Sequence, residues 1–213
     1  MTSKLGGNSE LRVACLGGSD LPTVIEERFP KLVAEEFPDV TVVMVGAPVE
    51  SSRRLLEMVR SEDAVFQPAP DIVVLSVQPD VVSELDPAEF RTNMLEVIGT
   101  IKARYDARIM AFNASTFDPE DTTTTFFKID SPYPLRIHEL DLEIMRLSID
   151  EGISIIDVDR LMAELGAGKH VPKVMELSPR AQDVVAEEFM RVVKDYGFFE
   201  NRPLLAQIGK KAS

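Results

Sequence analysis

The feature that most constrains this chain is an alternation. Five short runs rich in β-branched residues, LRVACL (11–16), VTVVMV (40–45), DIVVLSV (71–77), ARIMAF (107–112) and ISIIDV (153–158), are separated by longer segments. In those segments the apolar residues recur every three or four positions. The short runs are continuously apolar, as strands covered on both faces must be. The intervening segments 22–37, 51–61, 87–105 and 134–152 read as amphipathic helices, and a last helix is expected over 178–197. Strand and helix repeated five times predict a three-layer α/β/α sandwich around a five-stranded parallel sheet. Several helix starts agree. Thr23 and Glu26 have capping-box spacing, Asp86 precedes a first-turn Pro87, and Ser178 precedes Pro179.

A chain of 213 residues fits one domain with a core of its own, expected over 11–197. Residues 1–10 read as a polar tail. Residues 198–213, apolar and then basic, read as an extension that packs on the domain or reaches a neighbouring subunit in a homo-oligomer. The net charge of −13 disfavours nucleic acid and anionic membranes as partners. No apolar run is long enough to span a bilayer, and the polar start does not resemble a signal peptide. The lone Cys15 excludes a disulfide framework and favours a reducing, cytoplasmic setting. With only His138 and His170 there is no zinc-ligand spacing, and no Gly-Lys-Ser/Thr phosphate loop occurs, so neither metal nor cofactor is expected. The polar segment 118–134 is too long for a simple connection and reads as a functional lid or a surface excursion.

In open parallel sheets ligands gather beyond the carboxyl ends of the strands. Gly17–Asp20, Gly46–Glu50, Gln78–Asp80 and Asn113–Thr116 should therefore border one crevice. Four blocks then resemble the SGNH (GDSL-type) hydrolases: LGGSDL, RFPKLVAEEFPDVTVVMVGAPVESS, APDIVVLSVQPDVV, and EGISIIDVDRLMAELG followed by ELSPRAQDVVAEEF. The resemblance implies a flavodoxin-like sheet topology and esterase or acyl-hydrolase chemistry. Its substrate would be a small acylated molecule or a carbohydrate ester, and Ser19 would stand at the nucleophile position.

The other functional positions depart from the family. Gly18 replaces the aspartate of the serine block, and Val49 stands where an oxyanion-hole glycine is expected. Asp80 occupies the place of an asparagine donor, with Gln78 two residues earlier. Lys173 and Glu176 stand where the family has Asp-x-x-His. An ionised Asp80 accepts where a donor is needed, and one lost oxyanion donor costs about 3–4 kcal/mol. A serine hydroxyl is a weak nucleophile until a neighbouring base takes its proton. The candidate bases are Glu176, weaker than imidazole unless burial raises its pKa, and His170, on the glycine-flanked loop GAGKHVP. His138, expected at a helix start, is further from the site.

Each of these residues also has a structural reading. Ser19 suits a turn, and Asp80 and Gln78 can end a strand and cap the following segment. Asn113, with Ser115 and Thr116, lines the crevice or makes a turn, and Ser178-Pro179 starts the last helix. The expectation is a hydrolase-like fold with a degenerate catalytic apparatus that binds, or slowly processes, an acylated ligand. The alternatives are an active serine esterase using Ser19 with Glu176 or His170, a non-catalytic partner-binding protein, and carboxylate chemistry by Asp80 and Glu176.

Overall fold

The computed structural model describes residues 9–17, 21–45, 49, 51–61, 66–82, 85–115, 133–166, 170–171 and 176–199. Its five strands, β1 (Ser9–Leu16), β2 (Val40–Met44), β3 (Ile72–Ser76), β4 (Arg108–Phe112) and β5 (Ser154–Ile156), form one parallel sheet. Their order is β2-β1-β3-β4-β5. Val13 stands opposite Met44 on one side and Ile72 on the other, while Ile72 pairs with Arg108 and Met110 with Ser154. β1 begins at Ser9, so part of the predicted tail belongs to the sheet. The central β3 is buried along its whole length, whereas the edge strand β2 is partly exposed.

Successive strand residues point to opposite faces, so the sheet divides the core in two. Ala14, Leu16, Val73 and Leu75 pack beneath α2 (Ser52–Arg60), α4 (Pro87–Arg104) and α5 (Tyr133–Glu151). Val13, Cys15, Ile72 and Val74 pack beneath α1 (Phe29–Glu36), α6 (Val158–Leu165) and α7 (Pro179–Asp195). Phe29 and Phe189 meet edge-on at 4.7 Å on this second face.

The helix predicted over 22–37 contains a defect. Thr23–Arg28 is π-helical, and the Phe29 N–H donates to the Val24 carbonyl five residues back. Pro30 explains it: a proline ring within a continuous helix collides with the carbonyl four residues earlier, and a widened turn relieves the collision. The capping box expected of Thr23 and Glu26 does not form. Pro22 is already helical, at φ −56° and ψ −45°, and among the described residues no side chain caps this start. Thr23 therefore lies inside the helical path, where it has no open N–H to reach. The expected caps at Asp86 and Ser178 do form, with Asp86 accepting from Ala88 N and Glu89 N and Ser178 accepting from Ala181 N.

Two helices were not predicted: α3 (Gln78–Val82) and α6. The run ISIIDV is strand only through Ile156; Asp157 then caps α6, accepting from Arg160 N. The extension begins by packing on the domain, since Phe199 stacks on Phe37 at 4.1 Å. The segment 118–134 lies outside the described residues as far as Tyr133, as does the chain beyond 199. Among the described residues no helix is long and apolar enough to cross a membrane.

Candidate functional site

The strand order reverses between β1 and β3, so a crevice is expected beyond their carboxyl ends. Gly17 leaves β1 at this point and runs close against β3. A Cβ added to Gly17 would lie 2.7 Å from Ser76 Cβ and 2.7 Å from Leu21 Cδ2. Both distances are far inside van der Waals contact, so glycine is the residue that fits. Gly18 and Ser19, the next two residues, lie outside the described residues, as do Gly46 and Lys173.

The polar residues at the neighbouring strand ends are bound to helix N-termini, where unsatisfied N–H groups attract acceptors. Asp80 is 1% exposed. Its carboxylate accepts from Ser52 N at 3.0 and 3.1 Å and from Ser52 Oγ at 3.0 Å, which ties α3, just beyond β3, to the first turn of α2. The segment it caps is the preceding helix and not the following one. Val49, also buried, lies just before Ser51, the N-cap of α2.

Asn113, at the end of β4, performs the same role for α6. Its Oδ1 accepts from Val158 N at 2.6 Å and from Asp159 N at 3.4 Å, and its Nδ2 donates to Asp157 Oδ1 at 3.0 Å. Gln78 is buried, and its backbone N–H donates to Ser76 Oγ at 3.2 Å. Beneath it is an apolar gap of about 10 Å³ bordered by Leu21, Val24, Phe112 and Leu177, room for about one water molecule.

His170 is partly buried beside the start of α7. Its Nδ1 lies 2.9 Å from Ser178 Oγ, and its carbonyl accepts from Ser178 N at 2.8 Å. A carboxylate in that position would accept Nδ1–H and leave Nε2 as the acceptor, the tautomer a general base needs. A hydroxyl both donates and accepts, so it does not impose that tautomer. Glu176 is exposed and stands two residues before Ser178; His138 is exposed on α5.

One group that reaches a strand end was not singled out from the sequence. Asp141 of α5 is buried, and its Oδ1 accepts from Ala114 N at 2.9 Å. Burial, and then the negative charges of Asp159 and Asp157, push its carboxyl up to about 7 against the one backbone bond that lowers it. It is therefore able to hold a proton near neutrality. Helical spacing carried the signal, since Asp141 falls on the same face as the buried Ile137, Leu140 and Ile144. Ser115 Oγ, next to Ala114 in the chain, is buried and has no hydrogen-bond partner among the described residues. Cys15 is pushed up to about 12 by burial and by Glu26, so its thiol is inert. Among the described residues no three His, Cys, Asp or Glu side chains are placed to share a metal ion. The larger described hollows, about 400 and 210 Å³, lie in the groove between α1 and α7. Charged residues such as Glu35, Glu187 and Arg191 line them, away from the strand ends.

No protein-family sequence model matches the chain, and no curated protein matches it in sequence. Solved structures do match in fold. The acetylxylan esterase Axe2 from Geobacillus stearothermophilus superposes with a TM-score of 0.64 at 12% identity, over 89% of this chain and 95% of that one. A lipase/acylhydrolase from Enterococcus faecalis gives 0.64 at 16%, over 88% and 96%. A member of the lipolytic G-D-S-L family from Veillonella parvula gives 0.59 at 10%, over 86% and 98%. The fold is thus of the SGNH hydrolase type, with a five-stranded parallel sheet between helices.

Proposed function

We propose that this chain is an SGNH-hydrolase-like protein whose catalytic apparatus is degenerate, and that it binds or slowly processes an acylated small molecule or sugar ester around Ser19. The reading rests on one observation: three of the candidate polar side chains, Asp80, Asn113 and His170, are engaged at helix starts. Asp80 accepts at the start of α2, Asn113 accepts at the start of α6, and His170 is bonded to the hydroxyl that caps α7. An oxyanion is stabilised by donors already aimed at it. Here the Asn113 amide donates to Asp157, and the Asp80 carboxylate is an acceptor. The acetylxylan esterase among the similar structures makes acetylated sugars a reasonable first ligand class.

A second reading is an active esterase, and His170 supports it. If Nδ1–H donates to Ser178 Oγ, then Nε2 is left able to take the proton of an attacking Ser19 hydroxyl.

Hydrolysis of p-nitrophenyl acetate separates the two. Turnover near background, unchanged in Ser19→Ala, is expected, together with measurable calorimetric binding of an acetylated xylo-oligosaccharide. Turnover well above background that collapses in Ser19→Ala, with fluorophosphonate trapping at Ser19, would reject degeneracy. In that event His170→Ala compared with Glu176→Gln identifies the base. Neither turnover nor binding would leave partner binding as the surviving function.

A further inference from the structure

The outer face of α5 carries large apolar side chains that the described residues leave exposed. Leu135, Leu142, Met145 and Ile149 are 65, 48, 55 and 82% exposed, while Ile137, Leu140, Ile144 and Leu147 of the same helix are buried. Among the described residues no other large apolar side chain is comparably exposed. With the exposed His138, the outer residues recur at intervals of three and four along the helix. That spacing keeps one seam of a helix turned toward a partner helix. At about 100° per residue, the five positions fall within about 80° of arc.

We propose that this seam pairs with the same seam of a second copy of the chain, the two α5 helices running antiparallel about a two-fold axis near Leu142. In that arrangement Leu135 faces Ile149 of the second copy, His138 faces its Met145, and Leu142 meets its own equivalent. The flanking charges select both the occupant and the direction. Exposed Glu139 and Arg146 border the seam on one side. Antiparallel pairing brings Glu139 of each copy to Arg146 of the other, twice by symmetry. Arg146 also pairs with Glu143 at 2.5 Å within its own helix, and a guanidinium has donors enough for both. Parallel pairing would set Glu139 against Pro134 and Arg146 against the buried Asp141, so neither would gain an accessible opposite charge.

The seam is about 20 Å long, which puts the interface at the small end for specific complexes, so a weak dimer is expected. The net charge of −13 opposes association at long range, but at about 0.15 M salt the screening length is only about 8 Å. None of Gln78, Asp80, Asn113 and His170 belongs to this seam.

Sedimentation velocity on the full chain, from about 1 to about 200 µM at physiological salt, is expected to show a monomer–dimer equilibrium in this weak range. Leu142→Glu with Ile149→Glu should abolish the dimer while leaving the far-UV circular dichroism unchanged, because both residues are exposed. Glu139→Arg and Arg146→Glu should each weaken dimerisation about tenfold, and the double exchange should restore it. A wild-type chain that stays monomeric throughout, whether free or bound to neutral phosphatidylcholine vesicles, would overturn the proposal. So would a dimer indifferent to all four substitutions.

Discussion

At Gly17 a missing side chain sets the spacing of two strands. A methyl group there would meet Ser76 Cβ at the neighbouring strand end, which cannot swing aside as the far end of the Leu21 side chain could. Gly17→Ala is expected to lower stability by about 1–3 kcal/mol in urea unfolding, as overpacking does; a change below about 0.5 kcal/mol would show that β1 and β3 separate freely. Asp141 poses an electrostatic problem at the same scale. Its carboxyl titrates near 3.8 when free and near 7 when folded, so between those values the folded chain holds a proton that the unfolded chain has released. Its contribution therefore favours folding at low pH and is lost as pH rises from about 4 to about 7, by up to ~4 kcal/mol. Asp141→Asn keeps an acceptor for Ala114 N and removes the charge, so its stability profile should lack that fall. Profiles for variant and wild type that run parallel from pH 4 to 8 would contradict this.

Elements here are joined end to end by side chains that one element supplies to another. Asp80 is the clearest case, since it holds the start of α2 from α3, just beyond β3, across 28 residues of sequence. Asp80→Ala leaves the buried N–H and hydroxyl of Ser52 without that acceptor. It should cost about 2–4 kcal/mol, whereas Asp80→Asn, which retains an oxygen, should cost about 1 kcal/mol. Equal losses in the two variants would mean that charge, and not the bond, is what matters. Such linkage also bears on catalysis. A residue that anchors a helix is difficult to release for chemistry.

For the molecule as a whole, the sheet is shared by two cores, and neither can open without uncovering the strands of the other. Phe90 lies fully buried on the α4 face and Phe189 on the α7 face. Phe90→Ala and Phe189→Ala are each expected to lower stability by about 3–5 kcal/mol. Each should shift one common transition seen alike by circular dichroism and by fluorescence. Two separated transitions in either variant would show that the layers unfold independently.

What the sequence determined by itself was periodic. Continuous apolar runs and helical spacing each report a local environment, so all five strands and the long helices, from Pro87 to Arg104 for instance, were legible from the residues alone. Short elements were not. Gln78–Val82 spans too few residues for any period to emerge, and Val158 continues the apolar run of β5 although the chain has already turned into α6. Thr23 and Glu26 had the right spacing for a cap, but Pro22 had already entered the helical path. Pairing between distant residues was decided only in three dimensions. Whether Asp80 meets an oxyanion or Ser52, whether Asn113 donates to a ligand or to Asp157, and whether Asp141 is solvated or buried beside Ala114 all depend on which strand ends and helix starts the packing brings together. Hydrogen bonds and charge interactions act over a few ångströms of space, and separation along the chain does not report that distance.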